Sequence, residues 1–370
     1  MKVAFLTNFI PPYRKTLYQK IALKVKGLKI FISTEMENNR NWTVNHNQLD
    51  VLIQKSWMYT KKWRHEGGYI DQTPVHIPYD TISQLKKYNP DVVISSELGI
   101  RSLLSFIYCK RYKKPLILWL TLSEHTEKNK KGVRILLRKH LLKGASAFLG
   151  NGKSTERYVA SLGINKPSFN APYTSDYYLR SLGEKSFNTT KKVLFTGQLI
   201  QRKGVSEMIN AIKEWATQYP TSKIELIVAG NGPEKIHFKR IEHLPNIKCQ
   251  LLGTLPYEKL QQLYDKADLY LFPTLGDEWG VVVNEALSRG TPVIGSLYSQ
   301  AVEELITEDY NGWVFCPDNQ QEFITTLNKA ISTNKAEMVK ISNNAILSIK
   351  NHTPENSAKN ILQAINYVLN

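Results

Sequence analysis

Short apolar runs recur along the whole chain, and between them lie stretches in which apolar positions return every three or four residues. In the first half the runs are KVAFLTN at the start, KIFIST (29–34), DVVISSE (91–97), PLILWL (115–120) and AFLGNG (147–152). In the second half they are KVLFTGQ (192–198), IELIVAG (224–230), IKCQLLG (247–253), LYLFPT (269–274) and PVIGS (292–296). Helical periodicity falls between them, at Thr81–Tyr88, Val205–Tyr219 and Tyr257–Asp265. Apolar strands alternating with crossover helices are the mark of parallel sheets. The stretch SLGEKSFNTTKK (181–192) is polar and aperiodic, and it reads as the linker between the two series. The pattern predicts an α/β chain of two doubly wound, Rossmann-like domains facing a cleft, with ligands outside the carboxyl ends of the strands.

Length agrees, since 370 residues exceed what one core usually organises. No run approaches the roughly 18 apolar residues of a membrane span. The opening MKVAFLTNFIPPY reads as a first strand, because Thr7, Asn8 and two prolines interrupt it too early for a signal peptide. Cys109, Cys249 and Cys316 are widely spaced, with neither a CxxC pair nor a disulfide framework, which suggests a reducing cytoplasm and no zinc site.

Charge changes the picture more. Residues 1–180 hold 30 Lys and Arg against 12 Asp and Glu, whereas residues 181–370 hold 19 against 20. An excess confined to one half points to an anionic partner for that half: nucleic acid, an anionic membrane surface or an acidic substrate. Simple solvation of a lysine-rich surface is the bland alternative. The segment EKNKKGVRILLRKHLLKGA sets Lys128, Lys130, Lys131, Arg134, Arg138, Lys139 and Lys143 around Val133, Ile135, Leu136, Leu137, Leu141 and Leu142. That is a basic amphipathic helix suited to an anionic bilayer, although a core helix with a solvated basic face has the same pattern. Nothing resembles a DNA- or RNA-binding motif, so no nucleic-acid partner is expected.

The strand-end loops carry the candidate chemistry. The first ends in TNFIPPYRK, with Tyr13 and Arg14 and without GxGxxG, which argues against a hydride-transfer enzyme. SSELG and TLSEHT bring Glu97, Glu124 and His125 to the same end of their sheet. In FTGQLIQRKGV, Gly197 permits close approach, and Arg202 and Lys203 stand where a helix begins, a natural place for phosphate. AGNGPE adds Gly230 and Asn231 in a second glycine-rich turn. After LYLFPT comes LGDEWG, with a helix expected from Gly280 or Val281, Asp277 just ahead of it and Glu285 a turn inside it. Asp277 fits a helix cap and Glu285 fits a pair with a buried arginine. A carboxylate that binds the two hydroxyls of a ribose has the same requirements.

Taken in order, FTGQLIQRKGVSEMINAI, ELIVAGNGPE, LLGTLPYEKLQQLYDKADLYLFPT and DEWGVVVNEALSRGTPVIGS resemble the family 4, or group 1, retaining glycosyltransferases of the GT-B fold. The likeness extends more weakly to LLKGASAFLGNGKSTERYVASLGI in the first half. It implies an acceptor domain over 1–180, a nucleotide-sugar domain over 190–352 and a last helix, 353–370, that crosses back to the first domain. The family's acid pair falls on Asp277 and Glu285, the first contacting the donor sugar and the second the ribose. Lys203 matches the lysine that neutralises the donor diphosphate, Gly280, Val281 and Val282 the helix start that serves the same phosphates, and Leu255 and Pro256 the position that reads the base.

The chain also departs from that pattern. Gln198 replaces the usual arginine, with Arg202 as its candidate substitute; the first acid is Asp rather than Glu; PPYRKT replaces a glycine pair; Tyr173 stands where Asn is common. The resemblance implies transfer of a UDP- or GDP-linked sugar, with retention, to a glycan or lipid-linked acceptor in bacterial surface polysaccharide or glycolipid synthesis. It implies neither metal nor cofactor. Its setting would be the cytoplasm, with peripheral attachment to the inner face of the membrane as a further expectation. His125 is then expected on the donor sugar from the other domain, and Glu124, Glu97 and Arg14 toward the acceptor. A nucleotide-sugar 2-epimerase on the same fold and a non-enzymatic polyanion-binding protein are the competing readings.

Overall fold

The computed structural model describes residues 1–36, 46–65, 69–128, 132–176 and 179–370. The chain divides into two compact units, one formed by Met1–Trp63, Asp71–Asp176 and His352–Asn370, the other by Arg64–Ile70 and Tyr177–Asn351. Each is built on its own parallel sheet.

The first unit contains β1 (Lys2–Thr7), β2 (Gly27–Ile32), β3 (Asp50–Ile53), β4 (Ser56–Arg64), β5 (Ile70–Pro78), β6 (Val92–Ser96), β7 (Leu116–Leu120), β8 (Ala147–Gly150) and β9 (Ser168–Asn170), β4 and β5 running into the segment assigned to the second unit. Seven of these form one sheet in the order β3-β2-β1-β6-β7-β8-β9, while β4 and β5 make a separate two-stranded sheet. The central strands are buried almost throughout because helices cover both faces, as parallel sheets require. Val3, Phe5, Ile94, Trp119 and Leu149 point to one side with Leu17 and Ile21; Ala4, Leu6, Val93, Leu118 and Phe148 point to the other. The last helix, Pro354–Leu369, joins the first of these sides through Ala358, Ile361, Ala364 and Ile365. Thr353 caps it, its hydroxyl accepting from Asn356 N at 3.2 Å, and Pro354 occupies the first turn.

The second unit carries β10 (Lys191–Thr196), β11 (Ile224–Ala229), β12 (Ile247–Gly253), β13 (Leu269–Phe272), β14 (Val293–Ser296) and β15 (Gly312–Phe315) in the order β12-β11-β10-β13-β14-β15. Every pairing is parallel. β10 and β13 are neighbours although β11 and β12 lie between them in sequence, so the winding reverses there. Loops leaving that point diverge and open a crevice.

All ten sequence-read strands are present, and β3, β4, β5, β9 and β15 are additional. β4 went unread because nearly all its residues are exposed, so no face alternates with burial. The segment read as a linker is tied down: Phe187 is buried in the second core, Lys185 Nζ donates to Tyr264 O at 3.1 Å, and Arg180 N donates to Ser288 O at 3.0 Å. The basic helix runs over Val133–Gly144 only, and Lys130 and Lys131 lie outside the described residues. Its charges are not all on a free face. Arg138 is buried in an ion pair with buried Glu127, while Val133 and Leu136 are 81% and 67% exposed.

Candidate active site

The loops that leave β10 and β13 build the site. After β10 the chain passes Gly197 and a 3-10 turn, Gln201–Lys203, before the helix Val205–Gln218. Gly204 joins them with φ 67°, and a Cβ there would strike the Pro273 carbonyl at the end of β13, so only glycine lets the two loops close. Backbone bonds then stitch them together. Leu275 N donates to Arg202 O at 2.8 Å, and Arg202 Nη1 donates to Gly276 O at 3.0 Å.

This stitching brings Lys203 Nζ onto Asp277 Oδ2 in an ion pair, with Arg202 Nη1 3.6 Å from the same oxygen. Burial alone would favour a neutral Asp277, but the charges of Lys203 and Arg202 outweigh it and hold the carboxyl below the usual range. Asp277 is not a helix cap. The residue before the helix Val281–Ser288 is Gly280, at φ 105°, and no side chain caps that helix. Its start, at half-buried Val281 and Val282, is thus left to backbone N–H groups.

One turn inside the helix Glu285 is 8% exposed. No arginine or lysine pairs with it among the described residues; Tyr264 meets it instead, the phenol donating to Oε2 at 3.1 Å. Burial pushes the Glu285 carboxyl up to about 7, against the opposing hydrogen bonds of Tyr264 and Tyr257. The Tyr264 hydroxyl is also 2.9 Å from Thr196 Oγ1, which is 3.1 Å from the Tyr270 hydroxyl. Thr196 ends β10 and Tyr270 belongs to β13, so the acid hangs from both strands at the reversal point.

The remaining expected positions lie along the same rim. Gly230 is pressed against the Gly197 carbonyl so closely that a Cβ could not fit. Asn231 is exposed, its Oδ1 accepting from Gly232 N at 2.9 Å and its carbonyl from Leu199 N at 2.9 Å. Gln198 is half-buried beside them. Half-buried Leu255 and exposed Pro256 precede the helix Tyr257–Lys266, the helix that delivers Tyr264.

Tyr264, Thr196 and Tyr270 were not anticipated. The strand-end rule offers a signal for Thr196, which directly precedes Gly197; Tyr264 occupies an ordinary apolar position of its helix and gives none.

In the first unit the acidic candidates are engaged. Glu97, at φ 68°, is ion-paired with buried Arg101, which also donates to Asn8 Oδ1 at 2.6 Å. Glu97 thereby joins a hydrogen-bonded cluster with Arg101 and Asn8. Exposed Glu124 pairs with Arg157 Nε at 2.6 Å. Half-buried His125 sits in the following turn, its carbonyl accepting from Lys128 N at 3.2 Å. Arg14 is buried between aromatic rings and does not project from its loop.

Residues 183–348 match the family described as Glycosyl transferases group 1. The match covers a little under half of the chain. The group 1 domain thus includes Lys203, Asp277 and Glu285. An uncharacterized glycosyltransferase of Methanocaldococcus jannaschii is 27% identical over 42% of this chain and 39% of its own length. A 2-deoxystreptamine N-acetyl-D-glucosaminyltransferase of Niallia circulans is 23% identical over 79% of this chain and 74% of its own. Against several other curated relatives the chain spans only 21% to 25% of their length. The structure of Anabaena HepE in complex with UDP superposes with a TM-score of 0.72 at 16% identity, covering 99% of this chain and 100% of that one. The chain has the GT-B fold, two Rossmann-like units each on a parallel sheet.

Proposed function

We propose that the protein is a retaining glycosyltransferase that moves a hexosyl or N-acetylhexosaminyl unit from a UDP- or GDP-linked donor to a glycan or lipid-linked acceptor in bacterial surface polysaccharide or glycolipid synthesis. The observation that carries it is the pairing of two differently tuned acids in the group 1 domain. Asp277 is held ionised beside Lys203 and Arg202, and Glu285 is held near neutrality in a tyrosine-lined pocket. A ribose diol suits Glu285: its hydroxyls donate to the carboxylate and favour the charged form. Anabaena HepE, which shares the fold, is known in complexes with UDP and with UDP-glucose, which supports a nucleotide-sugar donor.

In the transfer the acceptor hydroxyl attacks the anomeric carbon on the face from which the diphosphate leaves. The bond from that carbon to the diphosphate oxygen breaks with its electron pair on the diphosphate, and the acceptor proton passes to a departing phosphate oxygen. No protein nucleophile or metal enters this scheme. Lys203, Arg202 and the N–H groups at Val281 and Val282 meet the charge as it develops, in positions fixed before reaction. Asp277 orients Lys203 and lies next to the sugar, and Glu285 anchors the nucleoside so that positioning supplies part of the acceleration.

The test is a thermal-shift series with UDP, GDP, ADP and CMP and their common sugar conjugates, since a ligand of the native state raises its stability. One nucleotide should raise the melting temperature selectively, and Glu285→Ala should abolish that rise. No response to any nucleotide would sink the proposal.

A further inference from the structure

Arg14 is a buried cation that forms no ion pair among the described residues. It ends the 3-10 turn Pro12–Arg14 beyond β1 and is 6% exposed. Its guanidinium lies over the Trp119 ring at 4.7 Å and over the Tyr173 ring at 3.9 Å. The Tyr18 hydroxyl lies within hydrogen-bonding reach of the guanidinium, but Nε has no acceptor, and among the described residues no carboxylate stands within ion-pair distance. Aromatic faces stabilise a cation only modestly and cannot replace the water or anion that a guanidinium gives up on burial.

The unmet hydrogen bonding extends around it. Buried Asn151 has partners for neither its amide oxygen nor its amide nitrogen; the Thr174 and Ser175 hydroxyls and the Trp119 indole N–H are likewise unsatisfied. These groups share one corner of the first unit. Trp119 is in register with Leu149, both face the same core, and Asn151 directly follows the end of β8. The segment Tyr173–Asp176 runs against the turn that carries Arg14: Tyr13 and Tyr173 rings are 6.1 Å apart, and Thr16 donates to Asp176. Thr174 and Ser175 lie between those two anchors. The corner thus offers a guanidinium, an indole N–H, an amide and two hydroxyls, mostly donors.

We propose that this corner binds an oxyanion, phosphate or carboxylate, carried by the acceptor. Half-buried Tyr13 and Tyr173 cover it, and the positive excess of residues 1–180 would draw such a group in. That the anion belongs to the acceptor rests on the glycosyltransferase reading; the site itself does not. Two departures from the family pattern, PPYRKT and Tyr173, are then two halves of one binding site.

The experiment titrates the full chain with inorganic phosphate and, separately, with glucuronate, following the melting temperature. Lys203→Met silences the phosphate position of the group 1 domain and serves as the background. In it, one of the two anions should give a saturable rise, and which one does so tells a phosphorylated acceptor from a uronic-acid one. Adding Arg14→Met should remove the rise, while Thr174→Val with Ser175→Ala should weaken the affinity about tenfold, as loss of hydrogen bonds to a charged group does. Arg14→Lys, which keeps the charge, should retain a weaker response and guards against misfolding of the Met variant. Equal responses with and without Arg14, or no response to either anion in the Lys203→Met background, overturn the proposal. A parallel nucleotide titration of the unmutated chain separates the two readings: its failure would sink the donor assignment and leave the anion result standing.

Discussion

Tyr264 donates a hydrogen bond of 3.1 Å to the buried carboxylate of Glu285, and the same phenol reaches Thr196 at the end of β10. One tyrosine therefore holds the acid of the helix Val281–Ser288 against the first strand of its unit. Tyr264→Phe should leave Glu285 less satisfied and lower the stability by about 1–3 kcal/mol, the usual penalty for stranding a buried polar group. Chemical denaturation at pH 8, where the carboxyl is ionised, measures it; an unchanged midpoint would mean that Tyr257 alone supports the acid.

Glu285 also predicts a pH dependence. Its folded-state value, about 7, lies above the 4.5 of a free glutamate, so the native state binds the extra proton between those limits. Stability should fall as pH rises through that window and stay lower above it. Glu285→Gln should remove this slope and, at pH 8, stabilise the chain by an amount on the order of 3 kcal/mol. Nucleotide affinity should run the other way, weakening as pH drops below 7, because the diol prefers the ionised acid. Melting curves and binding isotherms at pH 5.5 to 8.5 test both signs.

The ion pair of Lys203 with Asp277 predicts a kinetic split. Lys203→Met should lower kcat by roughly a hundredfold to a thousandfold, the scale for losing one preorganised group at a developing charge. Asp277→Asn should reduce kcat while the affinity for the free nucleoside diphosphate is retained or raised, because Lys203 and Arg202 are released to the phosphates. If Asp277→Asn abolishes nucleotide binding instead, the aspartate is a structural partner of the lysine.

The helix Val133–Gly144 separates two roles that look alike in sequence. Arg138 forms a buried pair with Glu127, so Arg138→Ala should destabilise by about 3–5 kcal/mol, the penalty for leaving a buried charge alone. Exposed Arg134 and Lys143 flank exposed Val133 and Leu136, and Arg134→Glu with Lys143→Glu should leave stability unchanged. If this face touches membrane, the double variant should lose binding to anionic vesicles in co-sedimentation; persistent binding assigns the interaction to another surface.

Much was legible in the sequence because it is local. Strands buried on both faces are mostly apolar, which is why KVLFTGQ and LYLFPT announced themselves, and glycine beside lysine at a strand end already marked a candidate phosphate position. Exposed β4, with no buried face to imprint a period, left no such trace. The sequence alone thus determined the two α/β series, their strand ends and the acids and bases found there. Tertiary structure decided the partners. It chose a tyrosine 21 residues away for Glu285, set Lys203 on Asp277 74 residues off, and placed Arg14 between Trp119 and Tyr173. Strand order and helix packing create those contacts, and spacing along a chain carries no record of them.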